Sequence, residues 1–458
     1  MQVSKPHAQS TLTQWLDWLV QMHPQEIDMG VARVKQVALA LGVVRPAPVV
    51  ISVAGTNGKG SSVAFLSSIL RQAGYQVGAY SSPHLLQFNE RIQINGQNVS
   101  DADLVMAFAK IEQARQATKL TYFEFATLAA LVLFAKNQVQ VAVLEVGLGG
   151  RLDAVNLVDA DAALITAIDI DHIEWLGNDR AQIAREKAGI TRTGRLAVCS
   201  DPQPPESLAE YCQQHQVPLL QLGQDFEYRQ AANTWSLSWG EASAVMPKLP
   251  IPALKGEFQL QNAAGVVALL QAMQDQGLLQ VPLSAIESGL QQVLHPGRLQ
   301  SLRFVYQGHH YHWLLDVAHN PQSAQVLSDY LQGENASALR ALFSVLSDKD
   351  ATPMVQVLSP FIVDWHVAEL KNPRARALPA LQALLSPLVS ANRTFYPEMM
   401  MAVQAVLEME KQKTLPQQPT VLVWGSFFTV AEVYQALQRL SVQFAVSDTS
   451  AYPAPAQG

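Results

Sequence analysis

The sequence predicts an α/β fold in which helices cover mainly parallel sheets. Short runs rich in Val, Ile and Leu, such as residues 48–54 and 139–146, alternate with longer segments of helical periodicity. These runs barely alternate between apolar and polar residues, as expected for strands that are buried on both faces of a parallel sheet. With 458 residues, the chain has room for two or three domains.

The elements are predicted from this periodicity and from turn residues. In the first half, strands are predicted at residues 48–54, 76–80, 139–146 and 162–168, and helices at 12–20, 60–73, 102–116, 123–136, 180–188 and 259–274. Residues 91–99 and 226–239 predict two hairpins. In the second half, strands are predicted at 302–306, 311–317, 340–345, 361–366 and 420–424.

A break in the helical pattern at residues 295–298 (His-Pro-Gly-Arg) predicts a boundary between domains. We expect a first domain over residues 1–295 and a second α/β domain over 296–446. The Pro/Ala/Ser-rich residues 447–458 predict a flexible tail.

Composition excludes several classes of protein. The net charge is −7 and no Lys/Arg block is present, so nucleic acid is not an expected partner. The longest apolar stretch, residues 126–135, is shorter than the roughly 20 residues that span a bilayer, and no signal peptide is recognisable. Cys199 and Cys212 are too few for a disulfide framework. We expect a cytoplasmic protein without a membrane partner.

The strongest local signal is a glycine-rich loop between the first predicted strand and the helix at 60–73. Residues 53–62 read Val-Ala-Gly-Thr-Asn-Gly-Lys-Gly-Ser-Ser. A strand, such a loop and a helix direct backbone N–H groups and the helix dipole to one point, where Lys59 adds positive charge for phosphates. The loop departs from the GxxxxGK[ST] pattern because Val53 replaces the first glycine and Gly60 follows the lysine. We therefore predict an N-terminal P-loop-type ATPase domain, with hydroxyls at Ser61 and Ser62.

Two further strands are expected to bring polar residues to the same sheet edge as Lys59, where open α/β sheets bind ligands. Glu145 could hold Mg²⁺ that bridges nucleotide phosphates, although a helix cap or a structural ion pair would fit it equally well. For His172, chemistry alone favours a locally hydrogen-bonded histidine, because hard cations prefer oxygen ligands.

Other polar residues have ordinary structural interpretations. Thr121 and Glu124 fit a capping box, and residues 185–187 (Arg-Glu-Lys) would form a solvated charged face. Residues 147–150 are not a dinucleotide fingerprint and predict a flexible loop that lets Arg151 and Asp153 approach a ligand. In the second domain, residues 316–321 and 424–427 place polar residues at two strand ends.

Together, these motifs resemble the bacterial bifunctional dihydrofolate synthase/folylpolyglutamate synthases of the Mur ligase superfamily. The resemblance runs from residues 27–30 to the turn at 425–427. Its most specific stretches are 55–61, 81–84, 122–125, 144–156, 171–172, 185–190 and 316–321. It implies a Rossmann-like second domain and a monomeric ligase.

The resemblance also implies a role for individual residues. ATP would be bound by Asn57, Gly58, Lys59, Gly60, Ser61, Asn262, Arg298 and Asp316. Mg²⁺, as two ions, would be held by Ser82, Glu145 and His172. The pterin substrate would contact Ile27, Asp28, Met29, Gly30, Thr121, Tyr122, Phe123, Glu124, Leu152, Asp153 and Ala154. His319 and Ser426 would meet the incoming glutamate, Lys187 would be an N6-carboxylysine, and the catalytic set would be Lys59, Lys187, Asp316 and His319.

The implied activity is ATP-dependent addition of L-glutamate to dihydropteroate, and then to reduced folates, through an acyl phosphate. A monofunctional folylpolyglutamate synthase stays open, because loop geometry decides between the two. A cell-wall Mur ligase is disfavoured, because those enzymes carry an extra UDP-binding domain ahead of the phosphate loop, which here begins at Gly55. A nucleotide-gated binding protein would explain the loop but not the turn that contains Asp316 and His319.

Overall fold

Helices and strands alternate along both halves of the chain. The structure, a computed structural model, describes residues 5–22, 28–240 and 244–444. Ile27 and the expected tail at 447–458 lie outside these ranges. The chain divides into two units: one contains the residues up to Ala253 together with Phe258–Val293, and the other contains Leu254–Glu257 and the residues from Leu294 onward.

The helices are α1 (Leu12–Met22), α2 (Ala32–Leu41), α3 (Lys59–Gln72), α4 (Asp101–Arg115), α5 (Tyr122–Lys136), α6 (Ile173–Leu176), α7 (Arg180–Ala188), α8 (Glu206–Gln214), α9 (Glu257–Asp275), α10 (Leu283–Gln292), α11 (Pro321–Gly333), α12 (Ala351–Leu358), α13 (Leu378–Leu385), α14 (Met399–Met409) and α15 (Phe427–Arg439). None of these helices, within the ranges that the structure describes, has the length and apolarity needed to cross a membrane.

The strands are β1 (Val49–Ala54), β2 (Val77–Tyr80), β3 (Ile92–Ile94), β4 (Gln97–Asn98), β5 (Val141–Glu145), β6 (Ala162–Ile165), β7 (Leu196–Cys199), β8 (Leu219–Gln221), β9 (Phe226–Gln230), β10 (Thr234–Trp239), β11 (Ala244–Pro250), β12 (Gln300–Tyr306), β13 (His309–Leu315), β14 (Leu339–Phe343), β15 (Ile362–Ala368), β16 (Asn392–Tyr396), β17 (Val421–Trp424) and β18 (Gln443–Phe444). The predicted α/β class is confirmed, and both predicted hairpins are present as β3–β4 and β9–β10.

The first unit is built on an eight-stranded sheet with the order β4-β3-β2-β5-β1-β6-β7-β8. In the sheet, the run β2-β5-β1-β6-β7-β8 is parallel, whereas β3 pairs antiparallel with both β2 and β4. Every residue of β5 is buried, as its unbroken apolar pattern predicts for a central parallel strand. Because β1 lies between β5 and β6, the three strands expected to carry polar residues are neighbours, and their carboxyl ends share one edge.

The second unit contains a seven-stranded sheet with the order β16-β15-β14-β17-β13-β12-β18. The strands from β16 to β13 are parallel, whereas β12 and β18 are added antiparallel. The fully buried rings of Trp313, Trp365 and Trp424 pack in its core. This arrangement agrees with the Rossmann-like architecture that was expected for the second half.

Candidate active site

The glycine-rich loop joins β1 to α3 and is fixed to the end of β6. Thr166 Oγ1 donates a hydrogen bond to the Asn57 carbonyl at 2.7 Å, and the Thr56 amide donates to the Ala167 carbonyl at 2.7 Å. Gly58 is the N-cap of α3 with φ = 93°, a left-handed conformation that favours glycine. The Lys59 ammonium donates to the Gly55 and Thr56 carbonyls, at 2.9 Å each. The loop is thus a preformed turn with Lys59 folded over it at a helix N-terminus.

Helix α9 packs against this loop within the first unit. A Cβ atom added to Gly58 would lie 2.5 Å from Asn262 Oδ1, so Asn262 is in close contact with the loop. Gln259 Nε2 donates to Ser61 Oγ at 3.1 Å, and Asn262 Nδ2 donates to Gln259 Oε1 at 3.1 Å. Sequence reasoning missed Gln259, because a glutamine almost 200 residues from the loop carries no local signal. These contacts place Asn262 at the phosphate loop, where the resemblance implied it.

Ser82 and Glu145 meet at the carboxyl edge of the sheet. The Ser82 amide donates to Glu145 Oε2 at 3.3 Å, and Glu145 is buried. His172 follows β6 at the same edge and has φ = 52°, with its Nε2 3.9 Å from Asp171 Oδ2. Within the described ranges, no three His, Cys, Asp or Glu side chains cluster as a metal site by themselves. A hydroxyl and a carboxylate do fit Mg²⁺, which commonly takes one or two carboxylates and completes its shell with phosphate oxygens and water.

Lys187 is buried on α7, although its neighbours are charged and partly exposed. Its side chain is only 2% exposed, and burial holds its pKa well below the ordinary value, helped by the Lys59 charge and opposed by Asp171. Arg185 does pair with Glu210 near the surface, at 3.3 Å. The interpretation of residues 185–187 as a solvated face is therefore wrong for Lys187. The mutual influence of the two lysines places Lys187 within electrostatic range of the phosphate loop.

The segment that follows β5 is packed against α7 and does not form the expected open, flexible loop. A Cβ atom on Gly150 would lie 2.6 Å from the Glu186 carbonyl oxygen, so only glycine fits this approach. Arg151 is held outward by an ion pair with Glu186 at 2.8 Å. Asp153 is buried and accepts from the Leu148 and Val155 amides, at 2.9 Å each. Burial raises the pKa of Asp153 to about 6 in spite of these bonds and of the Lys59 charge.

The three stretches assigned to the pterin substrate meet in the first unit. The Gly30 amide donates to the Leu152 carbonyl at 3.1 Å, which joins residues 28–30 to 152–154. A Cβ atom on Gly147 would lie 2.5 Å from the Phe123 ring, which joins the segment after β5 to the start of α5. The capping box predicted there is confirmed, with Thr121 as N-cap and Glu124 at the third helical position.

Arg33 on α2 is a further residue that sequence reasoning missed. Its guanidinium forms ion pairs with both Asp28 and Glu124, the latter at 2.8 Å. Glu124 is only 2% exposed, so its carboxylate depends on Arg33 and on the Thr121 amide for compensation. The sequence shows two acidic residues in different stretches, and only the fold shows that one arginine connects them.

The second unit brings together its own predicted residues at the carboxyl ends of β13 and β17. Asp316 accepts from the Leu299 and Ala318 amides at 2.8 Å each, and burial raises its pKa while the Arg298 charge opposes the shift. The Arg298 guanidinium carbon lies 4.9 Å from the centre of the Phe427 ring, and the His319 ring lies 5.8 Å from the same ring.

Ser426 lies just after β17 and is the N-cap of α15. Its hydroxyl accepts from the Thr429 amide at 3.0 Å and lies 2.8 Å from Thr429 Oγ1. The side chain is only 2% exposed, so its position is set by helix capping. A contact of Ser426 with glutamate therefore stays a prediction.

Comparison with known proteins agrees with this geometry. The Mur ligase middle domain family matches residues 53–270. The dihydrofolate synthase/folylpolyglutamate synthase of Escherichia coli (strain K12) is 40% identical over 438 residues, which cover 94% of this chain and 97% of that protein. The protein of the same name from Haemophilus influenzae is 36% identical over 446 residues, covering 94% and 98%.

Solved structures give the same result. A structure of E. coli FolC in complex with DHPP and ADP superposes with a TM-score of 0.86 at 38% identity, covering 95% of this chain and 99% of that one. A Yersinia pestis bifunctional folylpolyglutamate synthase/dihydrofolate synthase complexed with AMPPNP and Mn ion has a TM-score of 0.84 at 40% identity, covering 95% and 100%.

The fold and the phosphate-loop site therefore define an ATP-dependent ligase of the Mur type. Within that class, the chain belongs to the family of bifunctional dihydrofolate synthase/folylpolyglutamate synthases.

Proposed function

We propose that this ligase adds L-glutamate to 7,8-dihydropteroate and to reduced folates through an acyl phosphate. The observation that carries the proposal is the junction of three stretches, residues 28–30, 121–124 and 152–154, within electrostatic range of the phosphate loop. Solved relatives bound to DHPP with ADP, and to Mn with AMPPNP and L-glutamate, support substrates of these kinds.

In this proposal, the phosphate loop binds the triphosphate of ATP. The backbone N–H groups at the start of α3 point toward the phosphates, and Lys59 exchanges its loop carbonyls for phosphate oxygens. Asn57, Gly60 and Ser61 belong to the same turn, and Asn262 supports it from α9. In the second unit, Arg298 and Asp316 would bind the nucleotide, and Asp316 and His319 would be catalytic residues.

Ser82, Glu145 and His172 are the proposed ligands for Mg²⁺, two ions of which would neutralise charge on the phosphates. Ser82 and Glu145 supply oxygen donors, which suit this hard cation. His172 is a less usual ligand, and its assignment rests on the family resemblance and on its place at the same sheet edge.

The reaction needs activation because amide formation from a carboxylate is uphill in water. The substrate carboxylate attacks the γ-phosphorus of ATP, forming an acyl phosphate and releasing ADP. The amine of L-glutamate then attacks the acyl carbon, the C–O bond breaks, and inorganic phosphate leaves with the amide formed. Lys59 stabilises charge on the transferred phosphoryl group, and a carbamate on Lys187 would place an anion near Lys59.

The proposal also covers the residues that would contact the substrates, the oligomeric state and the cellular compartment. Asp28, Met29 and Gly30 would contact the pterin together with Thr121, Tyr122, Phe123, Glu124, Leu152, Asp153 and Ala154, while His319 and Ser426 would meet L-glutamate. We also propose a monomer that works in the cytoplasm. Cys199 and Cys212, both buried and unpaired, agree with a reducing compartment.

The test is ADP release that depends on ATP, Mg²⁺ and L-glutamate, measured separately with 7,8-dihydropteroate and with tetrahydrofolate. Turnover of both acceptors is the expected result. Turnover of tetrahydrofolate alone would indicate a monofunctional folylpolyglutamate synthase. ADP release that is independent of L-glutamate, without a glutamylated product, would contradict ligase activity.

A further inference from the structure

Arg91 is a buried cation beside the stretches assigned to the folate-type substrate. It ends the short helix Phe88–Arg91 just before β3, and it is only 8% exposed. Its guanidinium carbon lies 5.6 Å from the centres of the Phe88 and Tyr122 rings. Arg91 Nε donates a hydrogen bond to His84 Nδ1 at 2.8 Å. Two aromatic rings and a histidine thus hold the guanidinium in one orientation.

Arg91 forms no ion pair among the residues that the structure describes, although its charge acts on the carboxylate of the adjacent Glu90. No carboxylate in those ranges lies within ion-pair distance, and neither terminal nitrogen has a hydrogen-bond partner there. The adjacent carboxylate, Glu90, instead accepts from the Leu85, Leu86 and Gln87 amides at 2.7–2.8 Å. His84 cannot compensate either, because its imidazole accepts the Arg91 hydrogen bond through Nδ1 and carries no negative charge.

Burying a cation without an ion-pair partner is costly, so an anion that binds next to Arg91 would offset this cost. A guanidinium matches a carboxylate particularly well, because two parallel N–H donors face its two oxygens. With Nε already used by His84, the two terminal nitrogens are the donors that remain for such a ligand.

The position of Arg91 indicates which anion this is. Its carbonyl accepts from the Ser81 amide at 2.9 Å, so its backbone lies next to Ser82, a proposed metal ligand. Its side chain stacks on Tyr122, in the proposed substrate stretch. Arg91 therefore lies close to both the metal ligands and the pterin stretches.

We propose that Arg91 is a substrate-binding residue whose guanidinium pairs with the carboxylate end of the folate-type acceptor. In dihydropteroate this is the aryl carboxylate, and in reduced folates it is a carboxylate of the terminal glutamyl group. The inference deepens the proposed function and rests on it, because it assumes that the acceptor occupies the pterin stretches.

The experiment compares two ligands that differ only in charge. Binding of 7,8-dihydropteroate and of its uncharged carboxamide is measured by titration calorimetry, without ATP, for the native chain and for Arg91→Gln. We expect the native chain to bind the acid about 10- to 100-fold more tightly than the amide, and Arg91→Gln to bind both alike. Arg91→Lys keeps the charge without the fork of donors and should give an intermediate preference.

Arg71→Gln is the matched control, because Arg71 is an exposed arginine that lies against the same β3–β4 hairpin, at Gly96. It should keep the native preference. In turnover, Arg91→Gln should raise KM for dihydropteroate and for tetrahydrofolate while KM for ATP stays unchanged. An effect on only one acceptor identifies which of the two carboxylates is bound.

Two results would overturn the proposal: an acid preference that survives in Arg91→Gln, or equal weakening of acid and amide, which indicates a structural role. The proposed function fails separately. A native chain that prefers the acid but does not ligate glutamate contradicts the function alone, whereas one that ligates glutamate without preferring the acid contradicts the Arg91 proposal alone.

Discussion

Lys187 shows how burial changes the chemistry of a single residue. An ammonium group that is 2% exposed and close to Lys59 is disfavoured, so the amine is held toward its neutral, nucleophilic form. A neutral amine can react with CO₂ to form a carbamate, whereas an ammonium cannot. The environment that the fold creates is therefore suited to the carboxylysine that the family resemblance implies.

We expect Lys187→Met to lower turnover by about 100-fold, because an anion near the phosphates is lost, while the melting temperature stays equal or rises as a buried polar group is removed. In ¹³C-bicarbonate, the native chain should give a carbamate NMR signal that the variant lacks. Arg185→Met, on the exposed side of the same helix, should keep both signal and turnover. A native chain without the signal at saturating bicarbonate would contradict the carbamate.

The raised pKa of Asp153 predicts how the stability of the chain depends on pH. Its pKa is raised to about 6, so between about pH 4 and pH 6 the folded chain keeps a proton that the unfolded chain has released. The free energy of unfolding must then fall as pH rises through this window, by up to about 3 kcal/mol. Urea unfolding should show that Asp153→Asn gains stability relative to the native chain between pH 4 and pH 7.

Asp159→Asn is the control, because the ion pair with Arg192 lowers the pKa of Asp159. Its carboxylate contributes stability above the unfolded pKa that is lost at lower pH, so removing it acts in the opposite direction. A relative stability of Asp153→Asn that does not change with pH would contradict a raised pKa at Asp153.

At the scale of elements, the junction of β1, the loop and α3 requires glycine for two separate reasons. Gly58 has φ = 93°, and its Cα faces Asn262, where an added Cβ would lie 2.5 Å from Oδ1. Gly74, just beyond the other end of α3, has φ = 89° but no neighbour within 4 Å. Alanine would therefore be strained at both positions, but only at Gly58 would its Cβ atom also collide with a neighbouring side chain, Asn262.

We expect Gly58→Ala and Gly74→Ala each to cost about 1–2 kcal/mol of stability, because alanine is strained in the left-handed region. Only Gly58→Ala should also displace Asn262 and the loop, and so weaken ATP binding by about tenfold or more. Chemical unfolding and nucleotide titration measure the two effects. Equal nucleotide affinity in both variants would show that the Asn262 contact does not shape the loop.

At the scale of the whole molecule, the sequence predicts helices and strands from their periodicity, but it does not predict contacts between side chains that are far apart in the chain. The buried strands β1, β5 and β6 and the polar residues after them were predictable, because apolar runs and strand ends are local properties, whereas the order of the strands in the sheet is seen only in the fold. The contacts of Arg33 with Asp28 and Glu124, and of Gln259 with Ser61, join residues that are far apart in the chain, so no local pattern contains them. The burial of Lys187 was missed for the same reason: the close approach of Gly150 covers α7, and only the fold shows it.

Nucleotide binding should be visible in the stability of the whole chain. A ligand that binds only the folded state adds about 4 kcal/mol at a thousandfold excess over Kd, so AMPPNP with Mg²⁺ should raise the melting temperature. Lys59 is only half-buried and its ammonium donates hydrogen bonds to carbonyls of its own loop, so Lys59→Ala should melt close to the native chain without nucleotide. With nucleotide, it should lose most of the shift, and turnover should fall by about 100-fold.

Lys35→Ala, an exposed lysine on α2, is the control and should keep both the shift and the turnover. This experiment distinguishes a structural role of Lys59 from a role in phosphate binding. If the ammonium holds the loop together, Lys59→Ala melts early even without nucleotide, whereas if it binds phosphate, the loss is confined to the AMPPNP-dependent part. A variant that keeps the full shift and native turnover would remove Lys59 from the nucleotide site, and with it the ATPase interpretation of the loop.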